Sequence, residues 1–195
     1  EVSNRIPFRG ATLISGFIEF FKHKQAIAFT LIAGFITGSF MVYLSTTQHI
    51  FEVQYGLGED FPLIFASLAV GVGFATYLNG VFVLKVGMKR IALISLIAYS
   101  LSSLVYVLLF INKVNPNLWI LLFFFGIQFT AIGFLFGNLR ALAMQPIGHI
   151  AGVGAAINGF ISTVMGVFIA TLIGAFIETT FGRYFWALHV VDLLL

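Results

Sequence analysis

The chain has 195 residues, of which 60% are hydrophobic and 9% charged, with a mean hydropathy of +1.06; a water-facing surface is excluded, because soluble domains carry about 25% charged residues. The net charge of +3 is divided among short segments and makes no continuous basic patch, so it gives no ground for nucleic-acid binding. No cysteine is present, which excludes disulfides, thiolate nucleophiles and cysteine-based metal sites, and the four histidines show no ligand spacing, so no metal is expected.

What remains is an all-α integral membrane protein. Apolar runs of about 20 residues cross a bilayer as helix, and helix is required where no water can satisfy a free backbone group. The roughly ten-residue alternation of a membrane barrel is missing.

In chain order, residues 1–25 precede any span. Arg9, Thr12, Gly16, Glu19 and His23 recur at helical spacing opposite Leu13, Phe17 and Phe20, which predicts an amphipathic helix along the headgroups. Five spans follow, at about 26–46, 62–84, 91–111, 118–139 and 150–177. Pro62 suits the first turn of the second span, where its missing donor is not needed. Residues 47–61 make an external loop with Glu52, Glu59 and Asp60 and no cation, and Arg140–His149 returns the chain to the other side. Residues 181–195 begin like a sixth span, with an aromatic cluster at Tyr184, Phe185 and Trp186, but are too short to cross and carry His189 and Asp192. The expected form is a truncated or altered last helix. The chain opens on Glu1, without Met or a signal peptide, and reads as a piece of something longer.

Basic residues in short loops stay on the cytoplasmic side during insertion. This layout puts Arg5, Arg9, Lys22, Lys24, Lys85, Lys89, Arg90 and Arg140 inside, and Lys113 and Arg183 outside. The amino-terminal end of the chain is therefore expected in the cytoplasm. Small residues mark the helices that should pack closely: Gly152, Gly159, Gly166, Ala170 and Gly174 along the fifth span, and Gly71, Gly73 and Gly80 along the second. These are the middle helices of two successive three-helix groups, as in an inverted repeat.

The turn Gly80-Val-Phe-Val-Leu-Lys85-Val-Gly87-Met-Lys89-Arg90 resembles the cytoplasmic loop motif of the major facilitator superfamily, with Leu84 where that motif has an acid. Gly137-Asn138 through Gln145-Pro146-Ile-Gly148-His149 to Gly152, followed by Gly159-Phe-Ile-Ser-Thr, is similar to the loop between the tenth and eleventh spans of Bcr/CflA-type multidrug efflux transporters. Together with Tyr55-Gly-Leu, the resemblance covers about Phe8 to Glu178. It implies the C-terminal six-helix half of a major facilitator bundle, in a bacterial cytoplasmic (inner) membrane. It further implies small-molecule export driven by proton entry, with a separate N-terminal six-helix half as partner and no cofactor. No Asp or Glu stands clearly within a span, so proton coupling would belong to that other half, and this part alone should not transport.

In that family the first, second, fourth and fifth helices of each half face the cavity. Candidate contacts are Thr37, Met41, Gln128, Asn158 and Met165, with Phe124 as an aromatic wall. Amides are costly against hydrocarbon, so Gln128 and Asn158 either meet substrate or bond between helices, and core packing is the competing role for the others. A non-transporting helical scaffold or assembly subunit would show the same hydropathy. An intramembrane enzyme is not indicated, because no acid, base or metal set is visible at membrane depth.

Overall fold

A computed structural model describes residues 10–110 and 116–174. Arg5, Arg9, Lys113, Glu178, Arg183, the end of the fifth span and the whole of 181–195 lie outside the described residues. Six helices follow in order: α1 Gly10–Lys22, α2 Lys24–Tyr55, α3 Phe61–Val86, α4 Met88–Phe110, α5 Leu118–Met144 and α6 Ala151–Gly174. A 3-10 helix, Gln145–Ile150, joins α5 to α6, and no strand occurs among the described residues. Helices α2, α3 and α4 and the continuous stretch Leu118–Ile173 are long and apolar enough to cross a membrane. The chain is an all-α membrane protein.

Two stretches expected as loops are helical. α2 continues past Thr46 to Tyr55, because Thr47, Ile50 and Phe51 keep the helical period and are buried. Glu52, the acid that suggested a loop, is on the exposed side. The helix stops at Gly56, which is left-handed (φ 65°, ψ 26°) and donates to the Glu52 carbonyl, while the Leu57 N–H reaches Phe51 O. Only a residue without Cβ adopts that conformation freely.

Arg140–His149 is likewise not a loop. α5 runs to Met144, and Pro146 ends it: proline has no N–H for the carbonyl four residues earlier, that of Leu142. Gln25 Nε2 supplies the missing bond, donating to Leu142 O at 3.1 Å and also to Gln145 Oε1 at 3.2 Å. Ile147 leaves helical geometry (φ −122°, ψ 28°) and buries its side chain with Phe20, Ala26 and Ile157. The corner is therefore a small core of its own, and it seats α1, whose Gly16 lies against Val153. Gly16 belongs to this contact face of α1 rather than to a polar one. Ile14, Phe17, Ile18 and Phe21 are left exposed.

α5 lies centrally, against α2, α3 and α4. Its aromatic residues interlock with those of α2: the Tyr43 and Phe129 ring centroids are 4.6 Å apart and those of Tyr43 and Phe125 5.0 Å, both edge to face. Lipid tails are as apolar as these rings, so such close packing replaces the water-driven term that would hold a soluble core.

Candidate functional site

α2 and α6 run parallel, as successive contacts show. Asn158 Nδ2 donates to Thr30 Oγ1 at 2.7 Å. Further along, Met165 packs on Gly34, Ile169 on Gly38, and Thr37 and Met41 on Gly166. Each glycine admits a partner side chain that its own Cβ would displace; one built on Gly38 would lie 2.8 Å from Ile169 Cβ. Thr37, Met41, Met165 and Asn158, candidates from sequence, thus come together along one seam. Asn158 is only 3% exposed, while Thr37, Met41 and Met165 are half-buried at the open edge. The Thr37 hydroxyl donates to Ala33 O at 2.7 Å, which satisfies it within its own helix. Gln48 is exposed on the same helical face as Thr37, Met41 and Leu44, and reading 47–61 as loop had removed it from that face.

Phe124 and Gln128 belong to another seam, between α4 and α5. Gln128 Nε2 donates to Ser103 Oγ at 2.8 Å, and the side chain is 1% exposed. The Phe124 ring meets Tyr106 edge to face at 5.2 Å. The six candidates are therefore divided between two seams and do not line one pocket among the described residues.

Among the described residues only part of the glycine pattern makes a close approach. Of the fifth-span stripe, Gly166 makes a close approach and Ala170 is half-buried against the core, whereas a Cβ on Gly152 or Gly159 would meet nothing within 4 Å. A seven-residue spacing drifts by ~20° per repeat on a straight helix, which carries Gly159 and then Gly152 off the buried face. Among the described residues, a Cβ on Gly71, Gly73 or Gly80 would also meet nothing within 4 Å. α3 packs instead through Gly133 of α5, where an added Cβ would lie 2.7 Å from both Val72 O and Ala75 Cβ. The Thr76 hydroxyl lies 2.9 Å from Val72 O in its own helix and 3.2 Å from Gly133 O, between which its single proton is shared, and Asn138 Nδ2 donates to Asn79 Oδ1 at 2.6 Å, completing this contact.

The α3–α4 turn is held by Gly87 (φ 88°, ψ 145°), whose N–H bonds Val83 O at 3.0 Å and whose carbonyl accepts from Ile91 at 3.2 Å. Lys85, Lys89, Arg90 and Leu84 around it are all exposed. Among the described residues these three cations form no ion pair; the pairs present join Glu19 to Lys22 and His23.

The chain is similar to membrane transporters. Over 166 residues, 85% of its length, it is 24% identical to an uncharacterized MFS-type transporter, YdgK, of Bacillus subtilis (strain 168), and spans 41% of that protein. Over 94 residues, 46% of its length, it is 33% identical to a bicyclomycin resistance protein homolog of Haemophilus influenzae, and spans 24% of it. The chain thus spans less than half the length of these relatives. No protein-family model and no solved structure matches it. Its apolar helices make it a multi-pass membrane protein, and the relatives it resembles are named as a transporter and a resistance protein homolog.

Proposed function

We propose that the chain forms the C-terminal six-helix half of a proton-coupled secondary transporter, which exports drugs or similar small molecules by alternating access across a bacterial cytoplasmic membrane. The similarity to an MFS-type transporter over 85% of the chain carries this reading, and the relative named for bicyclomycin resistance suggests the substrate class. α1 and the α3–α4 turn would face the cytoplasm, where their cations favour them.

In this reading the open edge of the α2–α6 seam is this half's share of the cavity wall. Thr37, Met41 and Met165 would touch substrate there, with Gln48 farther along α2. Gln128, Asn158 and Phe124 would fix the helices that carry the wall. The described carboxylates, Glu19, Glu52, Glu59 and Asp60, stand in α1 or at the ends of α2 and α3. Proton coupling is accordingly assigned to the other half.

The test is uptake and release of bicyclomycin and of a fluorescent cationic dye in vesicles holding the full-length protein under an imposed proton gradient. Gradient-dependent movement of either compound, lost in a normally inserted Met41→Trp variant, supports both transport and the wall. Movement unaffected by Met41→Trp removes Met41 from the wall. A correctly inserted parent that moves neither compound defeats the export reading.

A further inference from the structure

The end of the bundle that carries the α3–α4 turn has a recess of about 680 Å³ between the start of α2, the turn itself and the end of α5. Its lining combines the polar and basic side chains of Gln25, Lys89, Arg90 and Gln145 with the apolar ones of Phe29, Leu93 and Leu142. We propose that this recess binds the phosphate of an anionic phospholipid from the adjoining leaflet.

Three independent features favour an anion. Lys89 and Arg90 are exposed, pair with no carboxylate among the described residues, and no acid lines the recess. α4 begins at Met88 directly after Gly87, which has no side chain to cap it, and its first turn has no acidic residue. The first backbone N–H groups of a helix lack internal partners and carry a partial positive charge, so this uncapped end adds to the two cations. Finally, Gln25 spends both amide hydrogens on Leu142 O and Gln145 Oε1, which holds the Gln145 amide in place on the recess with its Nε2 as the donor an anion could use.

The apolar part of the lining selects a lipid over a dissolved anion. The recess lies at the ends of membrane-spanning helices, at the level of the headgroups, and a soluble phosphate would gain nothing from Phe29 or Leu93. Val86 also lines a second cleft of about 200 Å³, whose other lining residues are Phe82, Ile91, Ile94, Ser95 and Phe134. That cleft offers an acyl chain a path from the same phosphate. Basic recesses between helix ends are a recurrent way of holding anionic headgroups. The inference requires only that the chain sits in a bilayer, and stands whether or not the protein exports drugs.

Native mass spectrometry of the full-length protein, released from micelles doped with phosphatidylglycerol or phosphatidylcholine, tests it. The parent should retain one phosphatidylglycerol and no phosphatidylcholine. Retention should weaken roughly thirtyfold in K89Q/R90Q, from the usual contribution of two interfacial cations, and persist in K89R/R90K, whose charge is conserved. K22Q/K24Q, which removes cations outside the recess, should match the parent. Unchanged retention in K89Q/R90Q overturns the proposal, as does loss of retention in K89R/R90K equal to that in K89Q/R90Q. Displacement of the lipid by millimolar inorganic phosphate would overturn the lipid as occupant. Shielding of Lys89 from an amine-reactive reagent in lipid-free detergent would do the same, by showing that a protein segment fills the recess.

Discussion

Replacing Gly133 by alanine isolates the contact that fastens α3. An added Cβ would lie 2.7 Å from the Val72 carbonyl oxygen, whereas ordinary Cβ contacts begin at 3.4 Å. The neighbour is backbone and cannot rotate aside, so α3 must retreat by about 0.7 Å. That movement takes the Thr76–Gly133 bond, already 3.2 Å, beyond useful range. Overpacking of this kind costs about 1–3 kcal/mol, and the helical preference for alanine over glycine returns at most about 1 kcal/mol. A net loss of about 1–2 kcal/mol is expected, roughly five- to thirtyfold in the unfolding equilibrium. Two alanine controls calibrate it. At Gly34 the added Cβ meets the flexible Met165 thioether at 2.7 Å, which can swing away, and Met165 Cβ at 3.2 Å, which must give by only about 0.2 Å, so the cost should be smaller than at Gly133. At Gly126 nothing lies within 4 Å, and the variant should be as stable as the parent or slightly more. Reversible unfolding of the full-length protein by sodium dodecyl sulfate in mixed micelles measures all three. If Gly133→Ala is no less stable than Gly34→Ala, the α3–α5 contact is not as tight as described.

Three further outcomes are expected. A double-mutant cycle of Thr30→Val and Asn158→Leu in the same unfolding assay should give a coupling of about 0.6 kcal/mol and no more than about 1.7 kcal/mol, the range for interhelical bonds in bilayers; no coupling would mean that the bond does not form. Gly87→Ala should destabilise by about 1–3 kcal/mol, because its backbone (φ 88°, ψ 145°) lies in a region almost confined to glycine, while Gly80→Ala, in open space, should be neutral. Glu19 has its carboxyl held below its usual value of 4.5, first by the hydrogen bond from His23, which together with the weaker Lys22 charge outweighs the opposing effect of desolvation. A depressed acid stabilises the folded form above its unfolded value and loses that contribution as pH falls through the folded one. A spin label on α1 should therefore report constant mobility above about pH 4.5 and rising mobility below it, a change absent from Glu19→Gln.

The helical class and the membrane setting were legible because composition and run length reflect the solvent directly. Helix ends were less so. The acids near 52–60 resembled a loop, but Ile50 and Phe51 continued the buried face, and a charge pointing outward does not break a helix. Pro146 announced a break, yet the corner's apolar interior depends on Phe20 and Ala26, distant in sequence. The Gln128–Ser103 bond was nearer to reach: it joins the consecutive helices α4 and α5, whose antiparallel pairing limits the registers that can bring the two level. Asn158–Thr30 and Asn138–Asn79 join helices that are not consecutive, and no local register fixes them. The glycine stripes are a different case. A row of small residues shows where a close approach is permitted; whether one occurs depends on which face the crossing helix reaches.

α3 is attached along one side only. Of its 26 residues just Leu68 and Ala75 are buried among the described ones, and its polar fastenings to α5 are the Thr76 and Asn79 bonds. α2 and α6, by contrast, are keyed together at four successive levels. Mechanically the bundle is thus a stiff slab with one lightly pinned stave. A load that spreads the helices should part α3 from α5 before it slides α6 along α2, and a rearrangement at the α3–α4 turn can tilt α3 without disturbing the slab.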